Sequence, residues 1–271
     1  MSESKCSSTC TSHDCKNCSH NKENMQPEFK MANNIKNVIG IASGKGGVGK
    51  STVTSLIARK LAELGYKVGI LDGDITGPSI PKMFGLKGNI EVSENGMEPL
   101  VSKEGIKVIS MNLLLDNEED PVFFRGPILG QAVMQFFNDV NWGELDYLLV
   151  DMPPGTGDVP LTVYQSLPIK GVVIVSSPQQ LVKMIVMKAY YMAQKMNVPV
   201  IGLVENYSYF ECEDCGKRYE IFGKSTIDEV GDELGVPVIG KLPIVPALSE
   251  AADMGDSDYS RISIDIERIL A

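Results

Sequence analysis

Gly44-Lys45-Gly46-Gly47-Val48-Gly49-Lys50-Ser51-Thr52 follows an apolar run over residues 38–42 and precedes apolar residues at helical spacing, Val53, Leu56, Ile57, Leu61 and Leu64. Strand, then G-x-x-x-x-G-K-S, then helix is the context in which a P-loop match becomes a mechanism. The glycines let the backbone curl into a nest whose N–H groups face phosphate oxygens, and the helix N-terminus adds the positive end of its dipole. Lys50 then reaches the β- and γ-phosphates and Ser51 ligates magnesium. A Gly-rich turn that binds nothing is the bland alternative, and three context elements together weigh against it.

A second lysine, Lys45, stands directly after the first glycine. A phosphate cradle does not require it, since Lys50 fills that role. Either Lys45 is a solvated lysine on an exposed loop, or it serves a neighbouring active site as an arginine finger does in trans.

Two further strands end in carboxylates. Residues 67–71 run into Asp72-Gly73-Asp74, and the buried run 147–150 ends in Asp151, followed by Met152-Pro153-Pro154-Gly155-Thr156-Gly157-Asp158. Open α/β sheets place their ligands at such C-terminal strand ends. Asp72 and Asp74 can between them hold the magnesium shell and orient an attacking water, Asp151 can hold magnesium through water, and the Gly/Pro loop after Asp151 can follow a γ-phosphate as switch segments do. One of the first pair could instead cap a following helix.

Strands are expected over residues 172–175, 200–204 and 236–240, and helices over 128–140, 179–196 and 226–234. Their alternation predicts an α/β, three-layer P-loop NTPase fold with a mostly parallel sheet covered on both faces. The strand over 200–204 ends in Glu205-Asn206, and a strand-end asparagine can read an adenine edge through its amide. Short alternating pieces over residues 85–115, around Asn95-Gly96, read as a β excursion. Arg125 sits between apolar residues and a turn, facing either the site or solvent. Methionines 184, 187, 192 and 196 share their helix with aliphatic residues and read as core.

Six cysteines remain to be placed. Residues 1–34 form a polar, aliphatic-poor tail that cannot bury a core alone, so the domain division expected is 1–34 and 35–271. Within it stand Cys6, Cys10, Cys15 and Cys18, suited to a second cluster or to zinc, or else unliganded thiols. Cys212-Glu213-Asp214-Cys215-Gly216 is a knuckle, half of a tetrahedral thiolate site. The other half must come from the tail or from the same pair in a second subunit. A thioredoxin-like redox pair fits less well, since the motif lies in a charged loop and not at a helix start.

With 43% hydrophobic residues over 271 positions, the chain has ample core for one large domain, and no window is apolar enough to span a membrane. No apolar signal core opens it, so the expected compartment is the cytoplasm. A net charge of −10 argues against broad nucleic-acid binding.

These motifs resemble the Mrp family of P-loop ATPases, cytosolic carriers and scaffolds of iron–sulfur clusters. The resemblance spans residues 36–250 and rests on the P-loop, Asp72-x-Asp74-x-x-Gly77-Pro78-Ser79-x-Pro81, Arg125-Gly126-Pro127, the Asp151 to Asp158 stretch, Glu205-Asn206 and the C-x-x-C. The loop is shared with the wider deviant Walker A class, which includes partitioning ATPases and nitrogenase iron protein; the combination narrows it. The resemblance implies an ATP-gated homodimer in which Lys45 contacts the partner's nucleotide and Asp74 positions water. It also implies that Cys212 and Cys215 pair with their symmetry mates around a 4Fe–4S cluster, received from a donor and passed to apo client proteins. Glu213 stands where family members often carry proline. The runner-up is a positioning or partitioning ATPase whose C-x-x-C holds structural zinc.

Overall fold

A computed structural model describes residues 33–74, 79–94, 96–114, 126–178, 182–246 and 262–270, without the side chains of 126, 127, 158, 159 and 182. Cys6, Cys10, Cys15, Cys18, Gly77, Pro78, Asn95, the acidic run 116–120 and Arg125 lie outside the described residues.

The apolar runs are strands. Asn34–Ser43 (β1), Val68–Asp72 (β2), Glu144–Asp151 (β7), Ile169–Ser176 (β8) and Val200–Glu211 (β9) lie side by side, and every pairing among them is parallel. Alternation along each strand feeds two cores. In β1, Ile39 and Ile41 face one side while Val38 and Ala42 face the other; in β7, Leu149 and Leu148 divide the same way. The first core is closed by helix α1 (Lys50–Glu63), α2 (Ile80–Met83) and the terminal α7 (Glu267–Leu270). The second is closed by α3 (Gly126–Asn138) and α4 (Asp158–Ser166), and α5 (Val182–Lys195) and α6 (Ile227–Leu234) continue that layer. A parallel sheet buried between two helical layers is the α/β architecture that the strand–helix alternation predicts.

Across the sheet the order is β5 (Leu100–Val101), β6 (Lys107–Ile109), β2, β7, β1, β8, β9, with β11 (Val238–Ile244) parallel to β9 on its outer side. β1 therefore lies between β7 and β8, and its C-terminal end opens at the point where the order reverses, the position at which such sheets bind ligands.

The structure corrects several expected boundaries. Residues 85–115 are not wholly an excursion: Val92–Ser93 (β3) and Gly96–Met97 (β4) form the small hairpin, but Lys107–Ile109 (β6) joins the main sheet beside β2, and Leu100–Val101 (β5) edges it. Strand β9 continues seven residues past the expected end at 204, because β11 and Arg218–Tyr219 (β10) both give it partners there. β11 itself runs through Pro243, which an edge strand tolerates. Helix α4 follows the Gly/Pro loop directly, with Pro160 in its first turn, where a missing N–H costs nothing. Among the described residues no helix is long and apolar enough to cross a membrane.

Candidate functional site

The loop between β1 and α1 encloses a cavity of about 320 Å³ together with Asp74, Ser79, Met83, Pro154 and Tyr207. Gly49 is the N-cap of α1, with φ 76° and no side-chain cap, so the first-turn N–H groups of the helix are left to whatever fills the cavity. A Cβ on Gly49 would lie 2.1 Å from Asn206 Nδ2, so the loop can pass between helix and strand only as glycine.

Lys50 opens α1 with its side chain 6% exposed. Its Nζ stands 2.8 Å from Asp151 Oδ2 and 3.7 Å from Asp74 Oδ2, yet makes no hydrogen bond of good geometry among the described residues. The contact to Asp151 is thus ionic. A buried ammonium with unmet donors at the edge of a cavity fits a phosphate oxygen. Asp151 is fully buried and held twice more: Ser51 Oγ donates to Oδ2 at 2.6 Å and Thr54 Oγ1 donates to Oδ1 at 2.7 Å. Asp72, also fully buried, accepts from Ser110 Oγ at 3.1 Å and from the Asp74 N–H at 3.3 Å. Burial first, and the neighbouring Asp151 charge second, push its carboxyl up to about 8. The Ser51 hydroxyl and the Asp72 and Asp151 carboxylates form an all-oxygen donor set, the chemistry that a hard divalent cation such as magnesium takes.

Lys45 is half-buried and does not line the cavity of its own chain. Its neighbour Gly44 packs so closely on α5 that a Cβ would meet the Ile185 carbonyl oxygen at 2.6 Å. Asn206 is buried, and its Nδ2 donates to the Val48 carbonyl at 3.1 Å. That amide hydrogen belongs to the loop, so what Asn206 demonstrably does is tie β9 to the P-loop. The Gly/Pro loop is tied there too, by Gly155 N–H to the Ser43 carbonyl at 2.8 Å.

Further along β9, the strand turns at residues 213–215 into β10, which pairs back through Arg218 to Glu211 and Tyr219 to Phe210. Cys212 and Cys215 sit at the tip of this hairpin, one half-buried and one exposed, both free thiols. The N–H groups of Cys215 and Asp214, followed by the Cys215 thiol, hold the Cys212 thiol below the usual thiol range. Backbone N–H groups aimed at one sulfur stabilise a thiolate, the ligand form for soft metals. Among the described residues no group of three or more His, Cys, Asp or Glu side chains that could hold a metal ion occurs, so the hairpin presents two thiols and no more.

Sequence reasoning missed Thr54, Ser110 and Tyr207. Thr54 was findable, since it lies four residues after Lys50 on the same helix face. Ser110 directly follows β6, too short a strand to see, and Tyr207 lies in the part of β9 not expected to be strand.

Fold and loop together define a P-loop NTPase. At the level of fold alone, the chain is similar to the cell division ATPase MinD of Pyrococcus furiosus, with TM-score 0.63 and 21% identity over 87% of this chain and 99% of that one. It belongs to the NUBPL iron-transfer P-loop NTPase family, whose model matches residues 34–268. An iron–sulfur cluster carrier protein of Clostridium perfringens is 54% identical over 233 residues, 83% of this chain and 82% of the relative. A nucleotide-binding protein of Archaeoglobus fulgidus, solved in complex with ADP, superposes with TM-score 0.74 at 46% identity, over 82% of this chain and 87% of that one. The family and the fold expected from the motifs, and the expected nucleotide hydrolase class, stand on these likenesses.

Proposed function

We propose that this chain is an ATP-hydrolysing carrier that holds a 4Fe–4S cluster between the thiolate pairs of two copies and passes it to apoproteins. One observation carries the reading: the chain that forms a phosphate cradle also presents two free thiols, Cys212 and Cys215, two of the four ligands that a tetrahedral thiolate site takes. The carrier relative at 54% identity supports the cargo, and the ADP-bound homologue supports the nucleotide.

In this mechanism the uncapped N–H groups of α1 and the Lys50 ammonium bind the β- and γ-phosphates. Ser51 and Asp151 would hold magnesium, with Asp72 behind them; when bound, the ion neutralises charge on the phosphate oxygens. Asp74, lining the cavity beside Lys50, orients the attacking water. Lys45, which does not line its own cavity, reaches the nucleotide of the second copy. Cys212 and Cys215 hold the cluster as cargo; donor and client proteins exchange it at the same exposed hairpin.

The test is anaerobic reconstitution with iron and sulfide, followed by visible absorption and metal analysis. Wild-type protein is expected to become brown with iron bound, and the double variant Cys212→Ala/Cys215→Ala to stay colourless. Zinc retained with no chromophore would instead favour the structural-zinc reading, and a double variant that keeps the wild-type chromophore would sink the bridging model.

A further inference from the structure

We propose that Tyr219, Ile221 and Phe222 form the seam on which a second copy of this chain closes, and that Phe222 reports the state of the nucleotide cavity to that seam through Tyr207. The inference rests on the two-copy reading above and adds to it the surface and its control.

Tyr219 lies on the returning strand of the thiol hairpin and Ile221 and Phe222 follow it; the three are 45%, 58% and 46% exposed. Three large apolar residues clustered in four positions make a patch, and patches of that kind mark contact surfaces. The occupant follows from the thiols. Two ligands of four stand at the hairpin tip, and a partner that supplies the other two there lies against the residues of the same hairpin. A second copy does both at once, because a two-fold axis brings the same patch and the same thiol pair to each side. Charge permits it: residues 209–224 mix four acidic with three basic side chains, so two copies related by a two-fold axis can set opposite charges against each other across the seam.

Control comes from the other end of the same strand segment. β9 is bulged between Glu205 and Tyr209: Lys241 of β11 pairs with Glu205, and Pro243, two residues on, pairs with Tyr209. Tyr207 sits in this bulge at φ 61°, a strained setting for a residue with a side chain. Ser208 Oγ pins the arch to Glu205 Oε2 at 2.6 Å, while Glu205 Oε1 is buried without a hydrogen-bond partner among the described residues. Tyr207 lines the nucleotide cavity, and a Cβ on Gly49 would meet its hydroxyl at 2.9 Å. Its ring rests edge-on against Phe222, with centroids 6.5 Å apart. A ligand that moves the P-loop therefore presses on Tyr207, and Tyr207 on the seam.

The experiment compares wild type with Ile221→Glu and Phe222→Ala after anaerobic reconstitution. Mass is read by light scattering, cluster by absorption, and nucleotide affinity by equilibrium binding of ADP. Ile221→Glu is expected to be monomeric and to lose the chromophore while binding ADP within about twofold of the apo wild type, since Ile221 does not line the cavity. If it stays a cluster-bearing dimer, the seam is wrong; a dimer that has lost only transfer to an apo acceptor gives the patch to a client and is equally fatal. Should Ile221→Glu fail to bind ADP, the milder Ile221→Ser is read by the same criteria. Phe222→Ala is expected to abolish the difference in ADP affinity between cluster-loaded and apo protein, a reciprocal quantity. An unchanged difference removes Tyr207–Phe222 as the link. The bridging reading fails separately, on Cys212→Ala/Cys215→Ala, whatever these variants do.

Discussion

Asp72 ends β2 with no exposure, accepts hydrogen bonds from Ser110 and the Asp74 backbone, and has its carboxyl pushed up to about 8 by burial and by Asp151. The sign of its effect on stability follows. Between the ordinary carboxylate range near 4 and about 8, the folded protein keeps a proton that the unfolded chain releases. Its contribution is therefore full in acid and declines as pH rises through that window, by at most about 1.4 kcal/mol per pH unit for one proton. Nucleotide-free Asp72→Asn, which cannot ionise, is expected to show a flatter stability profile over the window and to exceed wild type at its alkaline end. Urea unfolding at several pH values measures it; parallel profiles would show that Asp72 stays ionised. The same variant should bind magnesium nucleotide less well, the common trade between stability and a functional charge.

At the scale of elements, the fit of the P-loop against α5 makes a second expectation. Gly44 has the Ile185 carbonyl oxygen and Cγ2 where a Cβ would go, at 2.6 and 2.2 Å. Gly44→Ala must push helix from loop, an overpacking that costs about 1–3 kcal/mol. The urea midpoint should fall with the slope unchanged, and nucleotide affinity should fall with it because the loop moves. A wild-type midpoint would show that α5 yields freely. This contact was invisible in the sequence, where Gly44 read only as a loop glycine. Elements bounded by strong local signals were legible: β1, β2 and β7 by unbroken apolar runs, Lys50 and Ser51 by the glycine loop before them, and Asp72 and Asp151 by their place at strand ends. Features decided by tertiary partners were not. β6 is a three-residue strand whose place depends on β2, and α4 hides behind Pro160. β9 looked finished at Glu205-Asn206 because these two polar residues interrupt the apolar run, although β10 and β11 extend it to Glu211.

For the whole molecule the open quantity is which chain Lys45 serves. Its backbone carbonyl accepts from Ser43 Oγ at 3.0 Å, which turns the loop, and its side chain is absent from the lining of its own cavity. A cationic side chain next to a phosphate site but outside it has a task in trans if two copies meet face to face. Lys45→Ala alone should bind ATP and lose hydrolysis, but a local disturbance of the loop would do the same. Mixing separates the two. Lys45→Ala and Asp74→Ala are each expected to be inactive. In a mixed dimer, the site on the Lys45→Ala chain keeps its own Asp74 and receives Lys45 from the other chain. Half of randomly assorted dimers are mixed and each carries one complete site, so phosphate release should recover to about a quarter of wild type. If Lys45 acts within its own chain, no site in the mixture is complete and nothing is recovered.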